Sequence, residues 1–341
     1  MTIRVLIVDD SPTMRAILMS RFCDEPDISV IGTASNAQEA RELIKRFDPD
    51  VVTLDIEMPG MNGLDFLEKI MTLRPTPVII VSGHTQEGNE MTARALALGA
   101  VDCYSKYDRS GKINMYDNGR LAELIRQAAQ VKFNNHWTTT PNLVEQSRRK
   151  INADTQLIAI GSSTGGVEAL QILLKEFPAD CPPTVIVQHV NPRFAPAIAK
   201  TLDLVSPATV QLATADLPLR SGNVYLAPGG DQHLMVGGAG APYAKLRKGD
   251  PVSGHIPSVD VLFRSVADVV GSHAVGILLT GMGADGAEGL LTMSKAGAHT
   301  IAQDESTSTV FGMPRAAISL GAAQVVAPIN RIARHALTKA A

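Results

Sequence analysis

Short apolar runs rich in β-branched residues alternate with amphipathic stretches along the first third of the chain. The apolar runs cover residues 5–8, 28–31, 51–54, 78–81 and 101–104. The amphipathic stretches between them cover residues 14–22, 37–47, 64–73 and 90–98. Strands that alternate with helices form a parallel sheet that is covered on both faces, and such sheets bind ligands at the carboxyl ends of their strands. The pattern predicts a five-stranded, doubly wound α/β domain.

This alternation stops at residues 132–150, a polar segment that contains the only tryptophan and ends in a basic cluster. Such a composition is typical of a linker. A second alternation follows, with strands predicted at residues 157–160, 184–188, 210–214, 224–226, 275–279, 300–302 and 324–326, and helices at 167–177, 259–270 and 289–296. It indicates a larger, mostly parallel α/β domain, with room for an antiparallel hairpin near residues 224–236.

The chain length also favours two domains, because one hydrophobic core rarely serves 341 residues. We predict a first α/β domain at residues 1–131, a linker at 132–152 and a second α/β domain at 153–341. The class of the whole chain is therefore α/β.

Composition excludes several classes of protein. The formal net charge of -3 gives no electrostatic reason to expect a nucleic acid or an anionic membrane as partner. The N-terminal residues lack the pattern of a signal peptide, and no apolar stretch is long enough to span a bilayer. Cys23, Cys103 and Cys181 are odd in number and widely spaced, which suits neither a disulfide framework nor a zinc site. We expect a cytoplasmic protein with reduced cysteines and no direct membrane insertion.

Polar side chains stand at the ends of four of the first five predicted strands. Asp9 and Asp10 follow the first strand, Asp55 the third, Ser82 the fourth and Lys106 the fifth. Three carboxylates that meet at one sheet edge repel one another and favour a hard cation such as Mg²⁺. Each aspartate taken alone could instead cap the next helix, but capping does not account for the whole set. The set predicts a pocket in which Asp55 takes a phosphoryl group whose charge Lys106 and Mg²⁺ offset.

Over about 120 residues, the segments VDDSPTMR, LDIEMPGMNGLDFL and ALGAVD resemble the receiver domains of two-component response regulators. The resemblance implies that Asp55 is phosphorylated and that Ser82 and Tyr104, together with Lys106, form the switch. It also implies a Mg²⁺ site whose ligands are Asp9, Asp10, Asp55 and the backbone carbonyl of Glu57.

One position departs from the receiver pattern, because Tyr107 stands where receivers usually have a proline after the lysine. The bond before that proline is often cis, and a cis bond before another residue costs about 3 kcal/mol. We therefore expect the loop after Lys106 to take a different path, which affects the output surface and leaves the phosphorylation chemistry intact.

The run LIAIGSSTGGVEALQILL predicts a strand, a glycine-rich turn and a helix, in which Gly161, Ser163 and Gly165 have G-x-S-x-G spacing. Such a turn can lift a nucleophilic serine to the sheet edge, but it can equally cradle a phosphate. His189 and Asp285 follow two further predicted strands and would share that edge. A serine needs a base, and the base needs a carboxylate, so these three residues are the predicted triad.

Other residues compete for these roles. His233, His255 and His273 are alternative bases. Asp285 could form a capping box with Glu288 for the helix that follows. The segment GMGADG places three glycines around this aspartate, which gives more backbone freedom than a cap requires and favours a functional loop.

From about residue 153 to residue 340, the segments IGSSTGG, VIVQHV, YLAPGG, PSVDVLF, ILLTGMGADG, TIAQDE and FGMPRAA resemble the chemotaxis protein-glutamate methylesterase/protein-glutamine glutaminase family. A receiver followed by this domain is that family's architecture. The resemblance implies a nucleophile at Ser163, a general base at His189, an orienting carboxylate at Asp285 and an oxyanion donor at the backbone N–H of Met282. Members usually have arginine where Ile256 stands, which affects a substrate or domain contact and not the triad.

The same resemblance implies a function in chemotaxis adaptation. The enzyme would hydrolyse glutamate methyl esters and deamidate glutamines on the cytoplasmic helices of chemoreceptors, with no cofactor for the hydrolysis. A chemotaxis histidine kinase would supply the phosphoryl group. Two other functions compete with this one. A DNA-binding regulator would need a compact helix-turn-helix with basic residues, and the sequence after residue 150 contains none. A catalytically silent scaffold that binds receptors can be excluded only by activity data.

Overall fold

The structure is a computed structural model that divides into two compact units, residues 1–133 and 134–341. It describes residues 2–58, 63–83, 85–107, 112–114, 117, 119–131, 154–238 and 240–338. The predicted linker lies wholly outside these residues, so the boundaries 1–131, 132–152 and 153–341 stay a prediction. Within the described residues, no helix has both the length and the apolar character that a membrane span requires.

The first unit is built on five parallel strands, as the sequence predicts. The strands are β1 (Ile3–Val8), β2 (Ile28–Ala34), β3 (Val51–Asp55), β4 (Val78–Ser82) and β5 (Asp102–Ser105). The helices are α1 (Pro12–Ser20), α2 (Ala37–Phe47), α3 (Gly63–Leu73), α4 (Gln86–Ala97) and α5 (Arg120–Ala128), the last of which was not predicted. The sheet order is β2-β1-β3-β4-β5, so the ends of β1 and β3 are neighbours. This order brings the residues after those strands to one edge.

The second unit contains a seven-stranded and a three-stranded sheet. Its strands are β6 (Leu157–Ser162), β7 (Thr184–Gln188), β8 (Thr209–Leu212), β9 (Leu217–Pro218), β10 (Asn223–Leu226), β11 (Gln232–Gly237), β12 (Tyr243–Lys248), β13 (Ala274–Leu278), β14 (His299–Gln303) and β15 (Val325–Ala327). The large sheet is parallel, in the order β15-β14-β13-β6-β7-β10-β8. The predicted α/β class is confirmed for both units.

In the part of the second unit that the structure describes, six α-helices accompany these sheets: α6 (Gly166–Lys175), α7 (Ala195–Asp203), α8 (Val259–Val269), α9 (Ala287–Lys295), α10 (Met313–Ser319) and α11 (Ile329–Leu337). The sequence predicted α6, α8 and α9. Helix α8 buries Val259, Leu262, Phe263 and Val266, which are spaced to form one helical face, against the core. This packing fixes the N-terminus of α8 beside the strand ends that carry the candidate site.

The predicted hairpin near residues 224–236 is wrong in its pairing. Strand β10 belongs to the large sheet and runs parallel to β7 and β8. The antiparallel hairpin lies further on, between β11 and β12, with Gly237 opposite Tyr243. Gly229 and Gly230, with φ of 77° and 93°, turn the chain out of the large sheet between β10 and β11. A strand that follows such a turn is free to join a separate sheet.

Candidate active sites

Lys106 lies between the carboxylates of Asp55 and Asp9 at the carboxyl edge of the first sheet. Its Nζ is 2.5 Å from Asp55 Oδ2 and 2.9 Å from Asp9 Oδ2, and both aspartates are buried. The backbone N–H of Glu57 donates to Asp55 Oδ1 over 3.0 Å, and that of Ser11 donates to Asp9 Oδ1 over 2.9 Å. The predicted acidic pocket is therefore assembled with the lysine inside it.

Burial and neighbouring charges shift the pKa values of the groups in this pocket in opposite directions. Burial raises the pKa of Asp55 above its ordinary value, although the ammonium of Lys106 acts in the other direction. Burial lowers the pKa of Lys106, but Asp55 and Asp9 outweigh that effect, so the pKa of the lysine is raised overall. The lysine stays protonated, and further positive charge would favour the ionised form of Asp55 that can act as a nucleophile.

The acidic residues also fit a hard cation. One carboxylate oxygen from each of Asp9, Asp10 and Asp55 lies within 4.8 Å of the others, and Asp10 is exposed while the other two are buried. Carboxylate oxygens that face solvent on one side suit Mg²⁺, which keeps several water ligands. The donor set therefore agrees with the predicted ion.

The predicted switch residues are both buried. Ser82 ends β4, next to the strand that ends in Asp55, and its Oγ donates to the Gly88 carbonyl over 3.5 Å. The hydroxyl of Tyr104 accepts a hydrogen bond from Asn114 Nδ2 over 3.4 Å, and burial raises the pKa of the tyrosine. Ser82 therefore ends the strand beside the one that ends in Asp55, whereas Tyr104 is buried.

Backbone contacts hold the residue directly after Lys106, and the different path expected for this loop stays a prediction because residues 108–111 lie outside the described residues. Tyr107 forms an antiparallel bridge with Ile113, and Asn114 N donates to the Lys106 carbonyl over 2.9 Å. The cis peptide bond found in the described residues is Ile256–Pro257, so the bond before Tyr107 is trans.

The side chain of Glu57 has a contact that the sequence did not predict. Its Oε1 accepts from Thr85 Oγ1 over 2.6 Å, and its Oε2 accepts from Gly83 N over 3.2 Å. This carboxylate connects the loop after Asp55 to the start of α4. The only signal in the sequence was its position two residues after Asp55.

Ser163 leaves the end of β6 in a tight turn before α6. Its backbone N–H donates to the Thr280 carbonyl over 3.0 Å, and the residue is half-buried. Gly165 has φ of 73°, and a Cβ at this position would lie 2.3 Å from Thr309 Oγ1. A Cβ at Gly281 would lie 2.7 Å from the Cβ of Ser163. The glycines are required because other strand-end loops pack directly on this serine.

Strands β6 and β7 are joined at their ends by Gln188. Ser162 pairs with Gln188 in the parallel register, and Ser162 Oγ donates to Gln188 Oε1 over 2.6 Å. Gln188 Nε2 donates to the carbonyls of Ser163 and His189, over 2.8 Å and 3.1 Å. One buried amide therefore holds the serine and histidine backbones side by side, a role that no local pattern predicted.

His189 and Asp285 form a direct pair. His189 Nε2 lies 2.8 Å from Asp285 Oδ2. The same carboxylate accepts from Ser258 Oγ over 2.7 Å, from Val259 N over 2.8 Å and from Asp260 N over 3.1 Å. Burial raises the pKa of Asp285, but the bonds from His189, Ser258 and the helix N-terminus outweigh burial, so the pKa is lowered overall. Asp285 is therefore ionised at neutral pH.

The other ring nitrogen of His189 is available. Within the described residues, His189 Nδ1 is buried and has no hydrogen-bond partner, and the hydroxyl of Ser163 makes no hydrogen bond. Hydrogen bonds between a nucleophile and its base are often long before substrate binds. The arrangement leaves Nδ1 as the atom that can take a proton from Ser163.

His255 stacks on His189, with the two ring centroids 3.9 Å apart and an interplanar angle of 3°. Ligand atoms of His189, His255 and Asp285 lie within 4.8 Å of one another. The parallel rings direct their in-plane lone pairs side by side, whereas a tetrahedral metal site needs them to converge. The cluster therefore does not fit a metal centre, and the absence of a hydrolytic cofactor stays a prediction.

The remaining alternative roles do not fit the geometry. His233 accepts from Ser258 N at Nδ1 over 3.1 Å and contacts the Asp250 carbonyl at Nε2 over 3.0 Å, so both its nitrogens are bound to backbone. His273 directly precedes β13, at the opposite edge of the sheet. Gly286 is the N-cap of α9 without a side-chain cap, so Asp285 does not form the capping box that was considered.

The segment that contains Met282 is pinned beside Ser163. Gly281 N donates to the Val310 carbonyl over 3.0 Å, and the Gly281 carbonyl accepts from Met313 N over 2.8 Å. In the part of the chain that the structure describes, the N–H of Met282 makes no hydrogen bond. It is therefore free to bind an oxyanion, and that role stays a prediction.

Two family models match separate parts of the chain. The model described as CheB methylesterase matches residues 158–336, and the model of the response regulator receiver domain matches residues 5–114. The two matches contain the hydrolase-like cluster and the acidic pocket, respectively.

Curated relatives match nearly the full length. A protein-glutamate methylesterase/protein-glutamine glutaminase of Rhizobium etli is 51% identical over 98% of this chain and 95% of its own length. A protein of the same name from Caulobacter vibrioides is 52% identical over 94% of this chain and 93% of its own length. The crystal structure of the Thermotoga maritima CheB methylesterase catalytic domain is 36% identical, with a TM-score of 0.52, and covers 53% of this chain and 96% of that domain.

Proposed function

The chain belongs to the CheB methylesterase family, whose curated members are protein-glutamate methylesterases and protein-glutamine glutaminases, and we propose that Ser163, His189 and Asp285 carry out its hydrolysis. The observation that carries this proposal is the 2.8 Å bond between His189 and a buried, ionised Asp285, at the strand edge where Ser163 emerges. A base held in this way is what a serine nucleophile requires.

The reaction proceeds through an acyl-enzyme. Ser163 Oγ attacks the acyl carbon of a glutamate methyl ester or a glutamine, and its proton passes to His189 Nδ1. Asp285 stabilises the imidazolium that forms, and the N–H of Met282 with the N-terminus of α6 binds the oxyanion. The proton then goes to the leaving group, which departs as methanol or ammonia. Water, deprotonated by His189, releases glutamate and restores Ser163.

The substrates are side chains on the cytoplasmic helices of chemoreceptors, which places the enzyme in the cytoplasm and its function in chemotaxis adaptation. This assignment rests on the family and on the names of the relatives. Neither a nucleic acid nor insertion into a membrane enters the mechanism.

Phosphorylation of the first domain regulates the hydrolase. The carboxylate of Asp55 attacks the phosphorus of a phosphohistidine on a chemotaxis histidine kinase, and the P–N bond breaks as the kinase histidine leaves. Asp10 and Asp55 would hold Mg²⁺, with help from Asp9 and the Glu57 carbonyl, and the bound ion supplies positive charge against the phosphoryl oxygens. Lys106 adds a second positive charge, already 2.5 Å from Asp55. The hydroxyl of Ser82 donates a hydrogen bond to the phosphoryl group. Tyr104 then changes rotamer, which completes the switch.

The test is methanol release from a methylated chemoreceptor fragment by the phosphorylated full chain. Ser163→Ala should abolish release. Ser162→Ala should retain measurable release, because the hydroxyl of Ser162 donates to Gln188 and is therefore not placed to act as the nucleophile. Equal release from wild type and Ser163→Ala would remove Ser163 from the mechanism. Release from neither would favour a scaffold or a different receptor.

A further inference from the structure

His189 is held by Asp285 through one ring nitrogen, and a single hydrogen bond fixes the position of that nitrogen better than it fixes the plane of the ring. Rotation about the line from Nε2 to the carboxylate would move Nδ1, the nitrogen that must meet the serine hydroxyl. The flat face of His255 lies against this ring at 3.9 Å and 3°. We propose that His255 is a positioning residue, which holds the plane of the His189 ring so that Nδ1 is aimed at the Ser163 hydroxyl. This inference rests on the proposed function.

A tight turn holds His255 itself. Val252 and His255 exchange backbone hydrogen bonds of 3.0 Å and 3.1 Å, and Ser253 and Gly254 have φ of 52° and 80°. The ring of His255 bonds through Nδ1 to the Ser253 carbonyl over 2.8 Å. A carbonyl only accepts, so Nδ1 carries the proton. Ring and backbone of His255 are thus fixed within one four-residue turn.

The turn is anchored to the loop that carries the orienting carboxylate. Ser253 Oγ donates to Asp260 Oδ2 over 3.0 Å. Asp260 Oδ1 accepts from Gly286 N over 3.0 Å and from Gly289 N over 2.7 Å. Asp260 therefore binds both segments that hold the His189 ring. One carries Asp285, which bonds the edge of the ring, and the other carries His255, which covers its face. A shift of one relative to the other would require breaking these bonds.

A purely steric filler and a flat stacking partner can be told apart by substitution. A misplacement of about 1 Å in a reacting group can cost about 100-fold in rate without weakening substrate binding. If the ring plane of residue 255 is what matters, then another flat ring should serve, and a branched aliphatic side chain of similar bulk should not.

The experiment compares His255→Ala, His255→Leu and His255→Phe in the phosphorylated full chain, with kcat and KM for methanol release measured separately. We expect alanine and leucine to lower kcat about 10-fold to 100-fold with little change in KM. Phenylalanine should recover most of the wild-type kcat. His273→Ala, at the opposite sheet edge, should leave both constants unchanged, and thermal unfolding of each variant checks its folding.

The outcomes separate this inference from the proposed function. Activity that survives in Ser163→Ala defeats the proposed function. If Ser163→Ala is inactive but His255→Ala keeps the wild-type kcat, only the positioning role is lost. A kcat of His255→Phe as low as that of His255→Leu would also overturn the positioning role, because the imidazole nitrogens would then be responsible. A rise in KM alone would overturn it as well, because it would indicate a contact with the substrate. If the alanine variant does not fold, the leucine and phenylalanine pair still decides the question.

Discussion

Asp260 and Asp285 cap each other's helices. Asp285 accepts the N–H groups of Val259 and Asp260 at the start of α8, and Asp260 accepts those of Gly286 and Gly289 at the start of α9. Both carboxylates are buried, with 2% and 1% of their residue surfaces exposed. The partial positive charge of each helix N-terminus offsets the cost of burying the opposite carboxylate. The loop that orients His189 is thereby fixed to α8.

Asp260→Asn should weaken these reciprocal helix caps. The amide keeps one acceptor oxygen but loses the negative charge and one of the two acceptors that serve Gly286, Gly289 and Ser253. We expect the free energy of unfolding to fall by about 1–3 kcal/mol, because buried donors lose a charged partner. Calorimetry of the full chain measures this. Asp268→Asn, at an exposed position on the same helix, is the control and should change little. A variant as stable as the control would contradict the reciprocal caps.

Asp285→Asn should lower kcat by about 10³-fold to 10⁴-fold, an effect expected when an orienting carboxylate becomes an amide. An amide N–H facing Nε2 of His189 forces that nitrogen to accept, so the proton moves to Nδ1, which then cannot take one from Ser163. Methanol release measures kcat, and retained kcat would contradict the assigned role. Glu288→Gln, three residues on and exposed, should keep wild-type activity.

The local pattern predicted which residues stand at strand ends, because a buried parallel strand reads as an apolar run and the polar residue after it is conspicuous. It therefore located Ser163, His189 and Asp285, as well as Asp55 and Lys106, which lie at the sheet edges as expected. It also placed β7 and α2 at the residues where the structure has them.

A local sequence pattern could not predict the hydrogen-bond and stacking partners of these residues. Ser258 reaches Asp285 across 27 positions, and Gln188 reaches Ser163 across 25. The stacking of His255 on His189 also depends on two separate loops, so spacing in the sequence could not reveal it. Helix α11 has an apolar face formed by Ile329, Ile332, Ala333 and Ala336, but it follows a very short strand, and the sequence analysis did not predict it.

Lys106→Met should slow phosphorylation of Asp55. The lysine opposes the effect of burial on the pKa of Asp55, so its loss raises that pKa further and reduces the ionised fraction at neutral pH. It also removes a positive charge from the phosphoryl transfer, and together we expect a loss of about 100-fold or more in rate. Incorporation from a small acyl-phosphate donor, with and without Mg²⁺, measures this. Lys69→Met, exposed on α3, is the control, and equal rates for the two variants would exclude a role for Lys106.

Glu168, in the first turn of α6, should make the enzyme less stable as the pH rises. Although the residue is half-buried, burial of its carboxyl raises the pKa to about 7 from an ordinary 4.5. Between these values the folded state keeps a proton that the unfolded chain has lost, so stability falls as pH rises through this window and the full cost remains above it. Glu168→Gln should therefore raise the free energy of unfolding by about 1–2 kcal/mol at pH 8, discounted for partial exposure, with a smaller gain at pH 5. Calorimetry at both pH values tests this against Glu305→Gln, an exposed control, and a gain that did not grow with pH would contradict the raised pKa.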